Sequence, residues 1–460
     1  MKRQVGEGHK MQSPLIEEVE KIKNQISFAM PGHKGKQFFD IDLKNDVTEF
    51  LGTDNLLNPH GAIAKLESYI SKIYGSKESF IITNGSTGAI HIALSMLTED
   101  GDNILIQRNS HKSIYNFLII NNLKPTYLEN VYDKERALFF GINTEELLNK
   151  IKNNNIKVCV LTSPNYYGGI LNLKELIKIL HDNDVYVIVD EAHGAHLYFS
   201  DYREFLAIEA GADFVINSTH KTIPSLTQSA ILHLNTEEFT KKDVLKYINL
   251  FHTTSPSYLM MLSIEAGINY MLKNGKIEIA RRIDNINCIK KELGYSINLN
   301  HETIAATDPL KFLFRVKGIS GDNLLQKFSL EKNIRLEMAD LYYALAIISP
   351  LNTKEEINLL KDAIVSLENE DYKDILKIDL KIPKMALMPK TSFYSKGEII
   401  DIREACGRIS KNIIAAYPPG VPLISFGEIF TEDIIQNILK YIEAGIEIIG
   451  IENNKIEVVK

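Results

Sequence analysis

The sequence predicts an α/β fold built on a mainly parallel β-sheet, and two patterns support this prediction. Short apolar runs alternate with helical patterns between residues 79 and 234, as in repeated strand–helix–strand units. The runs are rich in Ile and Val at successive positions, which is typical of strands covered by helices on both faces. The predicted strands span residues 80–83, 103–107, 158–162, 185–190, 213–217 and 229–234.

A second, smaller α+β domain is predicted towards the C-terminus, because the pattern changes to long helices after about residue 250. The predicted boundary lies near residue 290. It divides the chain into a large domain of residues 1–290 and a small domain of residues 291–460. The long helices are predicted at 256–272 and 277–292, and the α+β stretch that follows them has predicted strands at 311–316 and 341–348 and helices at 354–368 and 431–443.

The composition excludes several classes of protein. A net charge of −7 and a pI near 6.0 argue against nucleic acid or an anionic membrane surface as a partner. The three cysteines, Cys159, Cys288 and Cys406, lack the spacing of a disulfide framework or a metal site, which favours a reducing cytoplasm. No apolar run approaches the ~18 residues of a membrane span, and the N-terminus lacks a signal-peptide core.

Two polar residues follow strands that should lie side by side. Asp190 ends the predicted strand 185–190, and Lys221 follows the strand 213–217. Ligands of α/β proteins bind at the carboxyl ends of parallel strands, so the two side chains are expected to be close together. A desolvated lysine can hold an aldehyde as a Schiff base, and a carboxylate can keep a pyridine nitrogen protonated. Together they indicate a pyridoxal 5'-phosphate site, although Asp190 alone would more often cap a helix or bind a metal.

A candidate phosphate site lies where the segment TNGSTG follows one strand and opens a helix. The backbone N–H of Gly85 and the hydroxyls of Ser86 and Thr87 would meet an anion there, and an ordinary capped turn is the alternative. Ser218 and His220, beside Lys221, are further candidate donors to a phosphate, and either could equally make a loop hydrogen bond.

Three histidines are also candidates for a functional role. His111 follows the strand 103–107, where its flat imidazole would suit stacking on a cofactor ring, whereas a lone histidine is more often structural. His193 and His196 follow Asp190, but no acidic or cysteine partner lies at metal-ligand spacing. No metal site is therefore predicted.

The chain resembles the prokaryotic ornithine/lysine/arginine decarboxylase family of fold type I pyridoxal phosphate enzymes. The motifs that carry this resemblance occur in order along nearly the whole chain. The matching segments are MPGHKG at 30–35, DVTE at 46–49, NGST at 84–87, NSHKS at 109–113, DEAHG at 190–194, STHK at 218–221, TSPSY at 254–258, YPPGVPL at 417–423 and GE at 427–428. The chain differs from the family pattern at one position. Relatives commonly have a proline directly before the final GE, and this chain has Phe426 there.

The resemblance implies an aspartate aminotransferase-like large domain and a set of site residues. Lys221 would carry the Schiff base, Asp190 would pair with the pyridine nitrogen, and His111 would stack on the ring. The other implied cofactor-binding residues are Gly85, Ser86, Thr87, Ala192, His193, Ser218, His220 and, from a second subunit, Ser255. The family also implies a homodimer with sites at the subunit interface, and a short branch without an N-terminal wing domain.

The implied activity is decarboxylation of a basic L-amino acid to the corresponding amine and CO2. Arginine is preferred over lysine and ornithine by analogy with short relatives in polyamine synthesis. The acids considered for the cationic end of the substrate are Asp54, Glu337 and Glu428.

Two alternatives stay open at this point. One is another enzyme acting at Cα, an aminotransferase or lyase, with Arg335 or Arg408 as candidate grips for the substrate carboxylate. The other is a catalytically silent regulatory protein that binds the cofactor.

Overall fold

The structure is a computed structural model that describes residues 14–49, 52–294, 297, 299–316, 319–367, 381–416 and 420–460. Two predicted features extend beyond these ranges. The last residue of the helix predicted at 354–368 and the first three residues of the motif at 417–423 lie outside the described residues.

The helices and strands alternate along the first half of the chain, and short strands dominate its last quarter. The helices are α1 (Pro14–Ile22), α2 (Ala62–Tyr74), α3 (Gly85–Leu97), α4 (Lys112–Ile120), α5 (Thr144–Asn153), α6 (Leu173–His181), α7 (Thr219–Thr222), α8 (Lys241–Phe251), α9 (Tyr258–Tyr270), α10 (Lys276–Glu292), α11 (Gly321–Glu331), α12 (Lys354–Val365), α13 (Pro389–Tyr394) and α14 (Glu432–Glu443). The strands are β1 (Ile26–Phe28), β2 (Glu78–Ile82), β3 (Asn103–Gln107), β4 (Lys124–Leu128), β5 (Asn130–Asp133), β6 (Leu138–Ile142), β7 (Val158–Thr162), β8 (Gly169–Leu171), β9 (Tyr186–Asp190), β10 (Phe214–Asn217), β11 (Ala230–Leu234), β12 (Ile304–Thr307), β13 (Lys311–Phe314), β14 (Ile334–Leu336), β15 (Met338–Ala339), β16 (Ala344–Ile347), β17 (Gly397–Asp401), β18 (Ile414–Ala416), β19 (Pro422–Ile424), β20 (Ile448–Ile449) and β21 (Lys455–Val459).

The central sheet has seven strands in the spatial order β2, β11, β10, β9, β7, β3, β4. The pairs from β10 to β4 are parallel, and β11 pairs antiparallel with both of its neighbours. The predicted mainly parallel sheet is therefore confirmed. Strand β11 runs the other way and follows β10 after a connection of residues 218–229, which contains the four-residue α7.

Strand β9 shows why the strands are apolar at successive positions. Val187 and Val189 pack into one hydrophobic cluster, whereas Ile188, on the opposite face, packs into a second cluster. Helices cover both faces of the sheet, so every position along such a strand is buried. Burial of this kind supplies most of the stability of the fold.

The C-terminal part packs in two different ways. Residues of β13 and α12 belong to the same hydrophobic cluster as the first face of the central sheet. Residues between Ile402 and Val458 form a separate cluster of their own. The domain boundary near residue 290 stays a prediction.

One predicted strand begins later than expected. The strand predicted at 341–348 starts at Ala344, because the carboxylate of Asp340 accepts hydrogen bonds from the backbone N–H groups of Tyr342 and Tyr343, both at 2.7 Å. This local turn competes with the strand pairing.

The described residues include no helix with the length and apolar character needed to cross a membrane. All three cysteines are free thiols, with Cys159 buried and Cys288 and Cys406 exposed.

A buried ion pair joins the central sheet to the C-terminal part. Arg108, just after β3, donates from Nη1 and Nη2 to the two carboxylate oxygens of Glu428, at 2.6 and 2.8 Å. Its Nε donates to the carbonyl oxygen of Pro422 at 3.1 Å. Because both partners are buried, each charge depends on the other for compensation.

Substituting Glu428→Gln is expected to lower the free energy of unfolding by about 3–5 kcal/mol, because the charge of Arg108 would stay buried without its counterion. Denaturant unfolding of the cofactor-free protein measures this loss. The control is Asp182→Asn, which removes the exposed Lys178–Asp182 pair and should change the stability by less than about 0.5 kcal/mol. Equal effects of the two substitutions would contradict the role given to the buried pair.

Candidate active site

Four parallel strands end at one edge of the central sheet. Strands β3, β7, β9 and β10 finish at Gln107, Thr162, Asp190 and Asn217. A cavity of about 740 Å³ lies against this edge and is closed on the other side by C-terminal residues such as Phe393 and Val421. The predicted site residues that line it are Ser86, His111, Asp190, Ala192, His193 and Lys221.

Lys221 lies in α7, directly after β10, and its Nζ is 3.2 Å from Nε2 of His193. Burial lowers the pKa of the Lys221 amine below its ordinary value, and the carboxylates of Asp190 and Glu337 oppose this shift. Burial, together with the charge of Lys221, also holds the pKa of His193 well below its usual range. The imidazole of His193 is therefore neutral at neutral pH, and its Nε2 shares a hydrogen bond with the lysine amine.

Asp190 is placed by the end of β9, where its side chain is buried. Its Oδ1 accepts a hydrogen bond from the backbone N–H of Ala192 at 3.1 Å, which orients the carboxylate. Its negative charge raises the pKa of both Lys221 and His111 against the effect of burial. The carboxylate is thus a fixed anion in the wall of the cavity.

His111 combines a structural role with a place in the cavity wall. It is the N-cap of α4, and its Nδ1 accepts a hydrogen bond from the backbone N–H of Ser113 at 3.2 Å. Burial, followed by the charge of Lys221, lowers the pKa of the imidazole. The neutral ring is held in one orientation beside the cavity. A structural role for His111 and stacking on a cofactor ring are therefore compatible.

The proposed phosphate residues form two layers. Ser86, at the start of α3, lines the cavity, and its Oγ accepts a hydrogen bond from Oγ of Ser218 at 2.9 Å. Ser218 is fully buried behind it. Gly85 has φ +76°, which favours glycine at this turn. Gly85 and Thr87 are absent from the described cavity lining.

The remaining two candidates lie away from the cavity. The ring of His220 shares a hydrogen bond of 2.9 Å through Nδ1 with the carbonyl oxygen of Ser229, so this nitrogen is the donor. Burial lowers the pKa of His220, and in the neutral ring Nε2 is then an acceptor. Donation to a phosphate would therefore require a protonated His220. Ser255 is exposed and is not part of the described lining.

The glycine-rich segment at 30–35 packs under the loop that carries Lys221. The backbone N–H of Gly32 donates to the carbonyl oxygen of His220 at 2.6 Å. A Cβ atom at Gly32 would lie only 2.5 Å from the carbonyl oxygen of Ile223, so this close approach requires glycine. The segment therefore supports the loop that carries Lys221.

The acids considered for the substrate cation already have partners inside the protein. Asp54 accepts the N–H groups of Gly61 and Ile63 at the start of α2, at 2.8 and 2.9 Å. Glu337 accepts the N–H of Met30 at 2.7 Å, and Glu428 pairs with Arg108. The described lining of the cavity includes none of these acids, nor Arg335 or Arg408.

The sequence interpretation missed a group of polar residues at the end of β7. Oε1 of Gln107 accepts the backbone N–H of Thr162 at 2.5 Å. The ring of Tyr166 lies 5.0 Å from that of His193, and its hydroxyl donates to Glu337 at 3.2 Å. The segment SPNYY, directly after the predicted strand 158–162, could have indicated these residues. Ligands of α/β proteins bind at the carboxyl ends of parallel strands, and this segment follows such an end.

The residues of this cavity fit pyridoxal 5'-phosphate. Several buried polar atoms at this edge have no partner within the described structure: Nε2 of Gln107, Oγ of Ser110, Oγ1 of Thr162 and Nδ1 of His193. A polar ligand would satisfy such atoms, which are costly to leave unpaired. The amine of Lys221, the carboxylate of Asp190 and the N-terminus of α3 with Ser86 suit an aldehyde, a pyridine nitrogen and a phosphate respectively.

Two family models match most of the chain. The model described as Orn/Lys/Arg decarboxylase, major domain, matches residues 12–312, and the C-terminal domain of the same family matches residues 373–450. The chain belongs to the Orn/Lys/Arg decarboxylase family. This confirms the resemblance found from the motifs. The enzyme is a pyridoxal 5'-phosphate-dependent decarboxylase of basic amino acids.

Similar proteins agree with this result. An arginine decarboxylase of Bacillus anthracis is 30% identical over 470 residues, which cover 95% of this chain and 94% of that protein. An arginine decarboxylase of Bacillus subtilis is 28% identical, over 95% of both chains. The solved constitutive lysine decarboxylase of Escherichia coli has a TM-score of 0.77 at 21% identity, over 91% of this chain and 75% of that one. This structural likeness confirms the predicted fold type I architecture.

Substituting Asp190→Asn is expected to lower the pKa of the Lys221 amine further, because the carboxylate favours the charged amine. In the cofactor-free enzyme, the pH at which Lys221 reaches half of its maximal rate of acylation should therefore fall. Peptide mass spectrometry reports this rate, with the exposed Lys178 as an internal reference that keeps its profile. A half-labelling pH that stays constant or rises would refute the coupling.

Proposed function

We propose that the enzyme converts L-arginine to agmatine and CO2, with Lys221 as the residue that binds the cofactor covalently. The observation that carries this proposal is the desolvated amine of Lys221 in one cavity with Asp190, His111 and His193. The preference for arginine is supported by the relatives that are named arginine decarboxylases and align along almost the whole chain.

The side chains would hold the cofactor from three sides. Asp190 would keep a proton on the pyridine nitrogen, the His111 ring would lie against the cofactor ring, and the hydroxyl of Ser86 would donate to the phosphate. Ser218 would act through Ser86, to which it donates. When bound, pyridoxal 5'-phosphate takes up the electron pair that the departing CO2 leaves on the substrate.

The pair formed by Lys221 and His193 would supply the proton that Cα needs after CO2 leaves. Their nitrogen atoms are 3.2 Å apart, a distance that allows direct proton exchange. A lowered pKa of the lysine amine brings it closer to the operating pH, where a group can both hold and release a proton.

Arginine, lysine and ornithine supplied together to the cofactor-loaded enzyme should give agmatine as the main amine, identified by mass spectrometry. Lys221→Ala should form no amine and should carry no cofactor fixed to the protein by borohydride reduction. The control Lys178→Ala, at an exposed helical position, should keep both properties. Cadaverine or putrescine as the main product would overturn the arginine preference, and absence of any amine would overturn the proposed reaction.

We also propose that the enzyme is a homodimer and that α1 lies in its interface. This helix has no buried residues, and its apolar side chains Leu15, Ile16, Val19 and Ile22 are exposed. A second copy of the chain would cover them, and a homodimer is what the family resemblance implies. Ser255, exposed and outside the cavity of its own chain, would then be available to the second subunit. The cytoplasmic location stays a prediction.

Light scattering coupled to gel filtration should give a mass of twice 52.1 kDa. The double substitution Leu15→Asp and Val19→Asp should shift the protein towards the monomer, because it introduces charge into an apolar interface. Leu330→Asp changes an equally exposed leucine elsewhere and serves as the control. A monomeric wild-type enzyme would refute the dimer, and a dimeric double variant would remove α1 from its interface.

A further inference from the structure

A second cavity, of about 330 Å³, adjoins the cofactor cavity. Its walls come from the β5–β6 hairpin, from the turn after β15 and from C-terminal residues around β19 and α14. The residues that line both cavities are Asn109, Phe139, Tyr167, Val421 and Pro422. A flexible molecule held in the first cavity can therefore extend into the second.

Acceptor groups are prominent in this second cavity. The carboxylates of Glu129, Glu146 and Asp340 line it. Asn130 lines it too, with a side chain only 8% exposed. Its Nδ2 donates to the carbonyl oxygen of Phe140 at 3.1 Å, which fixes the amide, while its Oδ1 has no hydrogen-bond partner. A buried acceptor left in this state favours a ligand that brings a donor.

Both cations of the described lining, Arg108 and Lys381, lie near acids other than these three. Arg108 is neutralised by Glu428. Lys381 lies 3.6 Å from Asp433. The residues that line the second cavity therefore carry an excess of negative charge.

Two of these carboxylates are also desolvated. Burial raises the pKa of Glu146 and of Asp340. The nearest cation to Glu146 is Lys150, 3.8 Å away. Asp340 accepts the hydroxyl of Tyr167 at 2.7 Å, a neutral donor. A cationic ligand would stabilise both carboxylates in their charged form.

Aromatic rings form much of the remaining wall, namely those of Tyr132, Phe139, Tyr167, Tyr342 and Tyr441. Aromatic faces attract cations, and a planar guanidinium also stacks on them. A guanidinium carries five N–H donors and no acceptor, whereas an ammonium carries three. A cavity with separated acceptors and aromatic walls suits the larger, planar group.

We propose that the second cavity binds the guanidinium end of the substrate while the reacting carbon stays in the cofactor cavity. This inference rests on the proposed function and assigns the choice of substrate to Asn130, Glu146 and Asp340. Glu146 is the residue best suited to a test, because it lies on α5 and a Gln there preserves the shape of the side chain.

Glu146→Gln is expected to raise the KM for arginine about tenfold, the loss typical of one charge-assisted hydrogen bond, and to leave kcat within about twofold. Calorimetry on the cofactor-loaded enzyme should show agmatine binding weakened by the same factor. Binding of pentylamine, which has no distal cation, should stay unchanged. The matched control is Glu145→Gln, the exposed neighbour on the same helix, which should behave as the wild type.

Equal changes for agmatine and pentylamine, or no change for either, would overturn the proposal. Weaker agmatine binding with an unaltered KM for arginine would also overturn it, since the cavity would then bind a free amine independently of the substrate. If the wild type forms no agmatine, the proposed function fails by itself. The calorimetry of Glu146→Gln still decides whether the cavity binds a guanidinium.

Discussion

The alignment of parallel strand ends is the constraint on which the site depends. The register pairs Thr162 of β7 with Asp190 of β9, and pairs Asp190 with Ile216 of β10. Because the register of buried strands is fixed by the core on both faces, the distance between Asp190 and the loop carrying Lys221 is fixed with it. A slip of one residue would turn Val187 and Val189 to the wrong face, so the stability of the core and the geometry of the site are maintained by the same pairing.

Burial near this edge lowers the pKa of several lysine amines, and some of these amines have a structural role. Burial lowers the pKa of Lys34 and of Lys311 to about 7. Nζ of Lys311 donates to the carbonyl oxygens of Asn165 and Tyr166, at 2.7 and 3.0 Å, and so holds the segment after β7 in place. Lys221 shares this desolvated environment but lines the cavity, and the reactivity that we propose for it depends on that difference.

The sequence predicts the parts of the fold and site that local patterns encode. Strands β3 and β7 have the predicted bounds, and Asp190, His111 and Lys221 line one cavity as expected. Strand β4, with the sequence KPTYL, was missed because its lysine, proline and threonine interrupt the apolar pattern. The second cavity was not predictable, since its lining comes from segments more than 200 residues apart that only tertiary packing brings together.

If the second cavity binds the substrate as we propose, the Arg108–Glu428 pair would contribute to specificity without contacting the substrate. Arg108 borders the second cavity and directly precedes Asn109, which lines both cavities. Its Nε holds the carbonyl of Pro422, another residue of the common wall. Because Glu428 neutralises this guanidinium, the cavity does not repel a substrate cation, and the charges of Glu129, Glu146 and Asp340 remain effective. The acid of the final motif would thus act on the substrate indirectly, by cancelling a positive charge that would oppose its binding.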